Sequence, residues 1–146
     1  MEFLSEEHLL SEIKKFIKDS KHCVLATSNE GIPYCSLMAY INNDDCTQIY
    51  LASYWDTQKV KNLKKNKNLS LLIDSRGSQS PKALTIQGEF LETDKGLYDF
   101  VFKKFLKEHP EMEPFLSSEK IEFISVNFKA FMYIKGLEDT YFIDLS

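Results

Sequence analysis

The sequence predicts a mainly β, α+β domain in which six to eight short antiparallel strands close into a barrel flanked by about three helices. Three observations carry that prediction. Runs of alternating apolar and polar residues recur along the chain, each bounded by turn residues. Most consecutive runs are joined by hairpin-like links, which favours barrel closure over a doubly wound parallel sheet. No GxGxxG, GxxxxGK[ST] or GxSxG occurs, so Rossmann, P-loop and hydrolase readings have no support.

The elements follow in order. Ser5 can cap a helix to about Asp19, with Leu9 or Leu10, Ile13, Phe16 and Ile17 at helical spacing, placed to cover a barrel end. Residues 22–27 alternate as a strand, and Ser28, Asn29, Glu30 and Gly31 supply a turn with glycine at positive φ. Pro33 opens the next strand, which runs to about Ile41. A polar Asn42-Asn43-Asp44-Asp45 turn leads to a strand at 49–53, a short turn at 54–57 and a basic helix carrying Val60 and Leu63. Residues 69–73 resume as a strand. The segment 74–82 reads as a loop holding Arg76, the only arginine, whose guanidinium suits a phosphate or carboxylate if it is not simply solvated. A strand at 83–93 has Gly88 at its middle, a position that implies a bulge, a barrel bend or close approach of another backbone. A helix at about 94–108 carries an aromatic stripe suited to core or subunit contact, and Pro110 stops it ahead of a short turn at 112–116. Three further strands are expected at 121–127, 131–135 and 140–144.

The 146 residues, 43% hydrophobic, suit a single domain, 1–146, with its own core. A net charge of -4 and a pI of about 5.4 argue against general nucleic-acid binding. No apolar run is long enough to span a bilayer and the start, MEFLSEEHLL, lacks a signal-peptide pattern, so the expectation is a cytoplasmic protein with no membrane partner. Cys23, Cys35 and Cys46 form no CxxC pair and read as buried reduced thiols. His8, His22 and His109 form no motif, and no metal is expected.

The most informative stretch is 47–74, where strand, turn, basic helix and strand follow one another. Free N–H groups at a helix start, the hydroxyls of Ser53 and Thr57 and the ammonium of Lys59 can converge on one phosphate. The helix dipole alone contributes about 0.3–1 kcal/mol at an exposed site, so the lysine and hydroxyls are needed as well. Asp56 or Thr57 simply capping a solvated basic helix is the alternative reading of the same pattern.

The ordered series of Gly31-Ile32-Pro33-Tyr34, the strand to Ile41, the strand at 49–53, Thr57-Gln58-Lys59, Asn62-Leu63, residues 69–73 and Leu84-Thr85-Ile86-Gln87-Gly88-Glu89 resembles the pyridoxamine 5'-phosphate oxidase-like FMN-binding split-barrel superfamily. The resemblance implies a split barrel, and a homodimer with FMN at its interface. It places Ser36, Leu37, Met38 and Ala39 along the isoalloxazine ring, largely through backbone groups. Ala52 and Ser53 fall at the ribityl and phosphate end, and Thr57, Gln58 and Lys59 on the phosphate-binding turn. Trp55 or Tyr54 becomes an aromatic beside the cofactor or the dimer contact, with Trp55 covering a barrel end as the alternative.

Departures narrow the activity. Ser36 and Gln58 stand where the vitamin-forming oxidases carry arginines, Ile41 where they carry a substrate-binding lysine, and residues 135–146 lack their Arg-x-His motif. The resemblance therefore implies an FMN-dependent oxidoreductase acting on a small-molecule redox substrate or electron donor, with no catalytic acid or base singled out, rather than an oxidase of pyridoxamine phosphate. A binder of haem or deazaflavin, and a cofactor-free interaction or stress-response module, are the alternatives.

Overall fold

The computed structural model describes residues 5–75, 80–136 and 138–146. Its elements are α1 (Glu6–Asp19), β1 (His22–Asn29), β2 (Ile32–Asn42), β3 (Gln48–Tyr54), α2 (Gln58–Lys65), β4 (Asn68–Asp74), β5 (Lys82–Glu92), α3 (Tyr98–Glu108), α4 (Glu113–Leu116), β6 (Ile121–Lys135) and β7 (Asp139–Asp144). Single 3-10 turns at Lys95–Leu97 and Pro110–Met112 precede α3 and α4. Six antiparallel strands close a barrel in the order β3-β2-β1-β4-β5-β6, with β6 returning to pair with β3, and β7 adds to β6 outside the ring. The seven strands lie within the expected range. Among the described residues the three expected helices are joined by α4, the single turn expected after Pro110.

The first hairpin turns at Glu30 and Gly31, with φ of 51° and 80°, the left-handed pair that a two-residue hairpin loop requires. One expectation fails further on: residues 121–127 and 131–135 are not two strands but the two halves of the 15-residue β6. The polar interruption belongs to a bulge. Gln87 pairs with Ala130 and Gly88 with Phe128, which leaves Lys129 as the extra residue. A Cβ on Gly88 would lie 2.8 Å from Val126 Cγ1 and 2.9 Å from the Asn127 carbonyl oxygen, so glycine is what lets β5 and β6 close here.

The barrel interior is filled by residues such as Leu25, Tyr40, Ile49, Leu51, Leu71 and Ile86, and α1 adds Leu9, Ile13 and Ile17 to the same core. Each of those α1 side chains contributes about 1.5–3 kcal/mol by leaving water. Ser5 caps that helix as its sequence implies, accepting from the His8 N–H at 3.1 Å. A second cluster lies outside the ring, where α3 sets Val101 and Phe105 against Ile41, Tyr50, Ala52 and Phe123. Of the aromatic stripe Val101 and Phe105 are thus core, Tyr98, Phe102 and Leu106 are partly buried and Leu97 is exposed, and β3 is buried on both faces although its sequence alternates. Cys23 and Cys46 are buried, and burial pushes the Cys23 thiol up to about 12. Cys35 corrects the expectation for the third thiol: it is exposed, because the first half of β2 stands clear of the packed core.

Replacing Gly88 by Ala should cost about 1–3 kcal/mol, the usual penalty for overpacking. Equilibrium denaturation measures this directly; an unchanged midpoint would show that β5 and β6 can separate without loss.

Candidate functional site

β2 pairs with β1 from Ile32↔Asn29 to Ala39↔His22, but with β3 only at Tyr40↔Leu51, Ile41↔Tyr50 and Asn42↔Ile49. Beyond that point the two strands part, and β3 continues on β6 as far as Tyr54↔Ile121. Flanking this split are Ser36, Leu37, Met38 and Ala39 on one side and Ala52 and Ser53 on the other, so residues from two separate stretches of sequence are brought together. The Tyr40 N–H donates to the Lys21 carbonyl at 3.0 Å. Alternation along the strand therefore turns the backbone N–H and C=O of Leu37 to the opposite edge, where β2 has no strand partner among the described residues. Met38 points into the core, Ser36 and Ala39 are half-buried, and the Leu37 side chain is 77% exposed.

The N-terminus of α2 follows Ser53 by one short turn. Thr57 occupies the N-cap position in extended geometry but makes no side-chain cap bond; its hydroxyl donates to the Tyr54 carbonyl at 3.0 Å instead. The buried Ser53 hydroxyl lies 3.0 Å from Thr57 Oγ1. Unlike α1, which has both a side-chain cap and Glu6 and Glu7, α2 carries no acidic residue in its first turn. Its leading N–H groups and positive dipole end are left to solvent or to an anion. Lys59 is half-exposed and, among the described residues, makes no ion pair. Gln58 is turned away: its amide donates to Asn62 Oδ1 at 2.7 Å, and buried Asn62 donates to Thr27 Oγ1 at 3.1 Å. These bonds, with Val60 and Leu63 in the core, anchor a two-turn helix that is marginal by itself.

Tyr54 packs its ring on Phe115 at 4.6 Å, while Trp55 is 54% exposed. Asp56 pairs with Lys120 at 3.0 Å, and that hydrogen bond holds its carboxyl below the usual carboxylate range. Arg76 lies outside the described residues. The histidines that share no sequence motif meet in part: His22 and His109 contact edge to face at 5.6 Å. His109 is only 1% exposed, with Nε2 2.9 Å from the Tyr40 carbonyl oxygen. Among the described residues no group of three His, Cys, Asp or Glu could hold a metal.

Sequence reasoning missed one surface feature, because it exists only in the register. Leu37, Val24, Leu72, Thr85, Met132 and Phe142 form one row across six strands on the outer face. Leu72, Met132 and Phe142 are all exposed, as Leu37 is. A groove of about 420 Å³ beside this row, lined by Thr27, Ser28, Asn68, Ser70, Gln87 and Lys129, contains none of the predicted site residues. No described helix is long and apolar enough to cross a membrane.

The fold and the split define a class. Residues 9–123 match the family model described as pyridoxamine 5'-phosphate oxidase, and the chain belongs to that family. No curated protein matches it significantly in sequence. Among solved structures it is similar to ChuZ of Campylobacter jejuni (18% identity, TM-score 0.84, covering 98% of this chain and 62% of that one). It is also similar to a heme binding protein from Mycobacterium smegmatis (14%, TM-score 0.83, 99% and 60%). A third likeness is to a FAD-binding protein from Mesorhizobium loti (18%, TM-score 0.73, 92% and 96%). The chain thus spans about three fifths of the first two proteins and nearly all of the third.

Proposed function

We propose that the protein is a homodimeric FMN-binding oxidoreductase whose cofactor lies along the β2–β3 split. The observation that carries this reading is the convergence at one place of an unpaired strand edge, two hydroxyls and an uncapped helix start beside a free lysine. Family membership supplies the flavin as the group to test against that donor set. The fit is chemical. A planar ring with alternating donors and acceptors matches the unpaired backbone edge at Leu37, and a dianionic phosphate matches the first turn of α2 with Lys59. Ser36, Met38, Ala39 and Ala52 would flank the ring and ribityl chain, and the Ser53 and Thr57 hydroxyls, which donate to the Tyr54 carbonyl here, would turn to donate to the phosphate. Gln58 would contribute its backbone N–H, since its side chain is committed to Asn62. Bound FMN would supply hydride and electron transfer, while the protein holds and orients it.

The apolar row from Leu37 to Phe142 is the face we assign to the second copy, which would then close over the exposed edge of the split. Haem is the second reading, favoured by the fold likeness to the M. smegmatis protein. One spectrum separates the two, since haem gives an intense Soret band and flavin does not.

Titration with FMN should be saturable, and FMN at about 100 times its dissociation constant should stabilise the fold by about 2.7 kcal/mol. Lys59→Ala should weaken FMN binding about tenfold, as loss of one charge-assisted contact implies. An unshifted melting curve at high FMN would remove flavin. Leu37→Glu should convert the dimer to monomer in sedimentation velocity; a dimer unchanged by that substitution would place the interface elsewhere.

A further inference from the structure

The turn that joins β3 to α2 carries a single carboxylate, Asp56, one residue before the uncapped helix start. Left alone, that charge would oppose the approach of a phosphate dianion. The structure answers it with one residue from a distant part of the chain. The Lys120 ammonium lies 3.0 Å from Asp56 Oδ2, and the Lys120 carbonyl accepts the Trp55 N–H at 3.0 Å. Both ends of the same residue therefore hold the same turn. Lys120 is itself set by Ser118, whose hydroxyl accepts its N–H at 3.2 Å and whose carbonyl accepts the Ile121 N–H at 3.2 Å. The support continues on both sides, with Phe115 under the Tyr54 ring and Ile121 paired with Tyr54 in the β3–β6 ladder. An exposed ion pair of this kind adds little to folding stability, so stability alone does not account for its placement.

We propose that Lys120 is a positioning residue for the phosphate-binding turn: it cancels Asp56 and fixes the turn, and so sets the preference for a phosphorylated over an unphosphorylated ligand. This rests on the flavin reading above and adds to it the residue that governs the selectivity of the site for a phosphate monoester.

FMN and riboflavin share ring and ribityl chain and differ only in the phosphate, so their dissociation constants isolate the effect. Flavin fluorescence on the full chain would be measured for the parent protein, Lys120→Met, Lys120→Arg and the double variant Lys120→Met/Asp56→Asn. Lys120→Met should weaken FMN about fivefold, the effect of a neighbouring carboxylate left without its ion pair, and leave riboflavin unchanged. Lys120→Arg should retain FMN binding, and Asp56→Asn should restore most of what Lys120→Met loses. Equal loss of both ligands, or failure of Asp56→Asn to rescue, would reduce Lys120 to a structural role while the flavin reading stands. A parent protein that binds both ligands equally, or neither, would overturn the phosphate site and this inference with it.

Discussion

The site depends on the unequal pairing of the two edges of one strand. β3 lies between β2 and β6 and pairs with both at residues 49–51, but it gives β2 only three residue pairs and β6 seven. Pairing with β6 closes the ring; leaving β2 opens the split. The unsatisfied backbone edge that results would be a liability on an ordinary strand. Here it borders the turn into α2, whose leading N–H groups also lack a side-chain cap, so two sets of unpaired backbone groups lie side by side.

That dependence on strand register explains what the sequence could and could not reveal. Alternation and turn chemistry identify nearly every strand, since period-two burial and a Glu30-Gly31 turn are local properties. They divide β6 in two, because the bulge at Lys129 breaks the local period while a partner strand 40 residues earlier maintains the ladder. Gly88 signals that bulge from the other side through its missing side chain. The hydroxyls and Lys59 are legible at the turn, yet their relation to Ser36–Ala39 is a matter of register between strands and carries no local mark. The same holds for the outer apolar row and for buried His109, whose partner is a backbone carbonyl on β2.

The departures from the vitamin-forming oxidases also gain a physical meaning. Gln58, in the place of an arginine, braces α2 through Asn62 to Thr27. In the proposed site, charge toward a phosphate would then come from the helix start and Lys59, with Asp56 paired to Lys120. A site of this kind has less positive charge and more dependence on backbone geometry, which places the weight of recognition on the rigidity of the turn.

The most direct test of the split as the binding site is amide hydrogen exchange with and without FMN, read residue by residue. The N–H of Leu37 and those of Gln58 and Lys59 should gain protection on adding FMN, while β4 and β5 remain unchanged. Protection confined to the groove at Ser28, Asn68 and Gln87, or none anywhere, would contradict the assignment of the β2–β3 split.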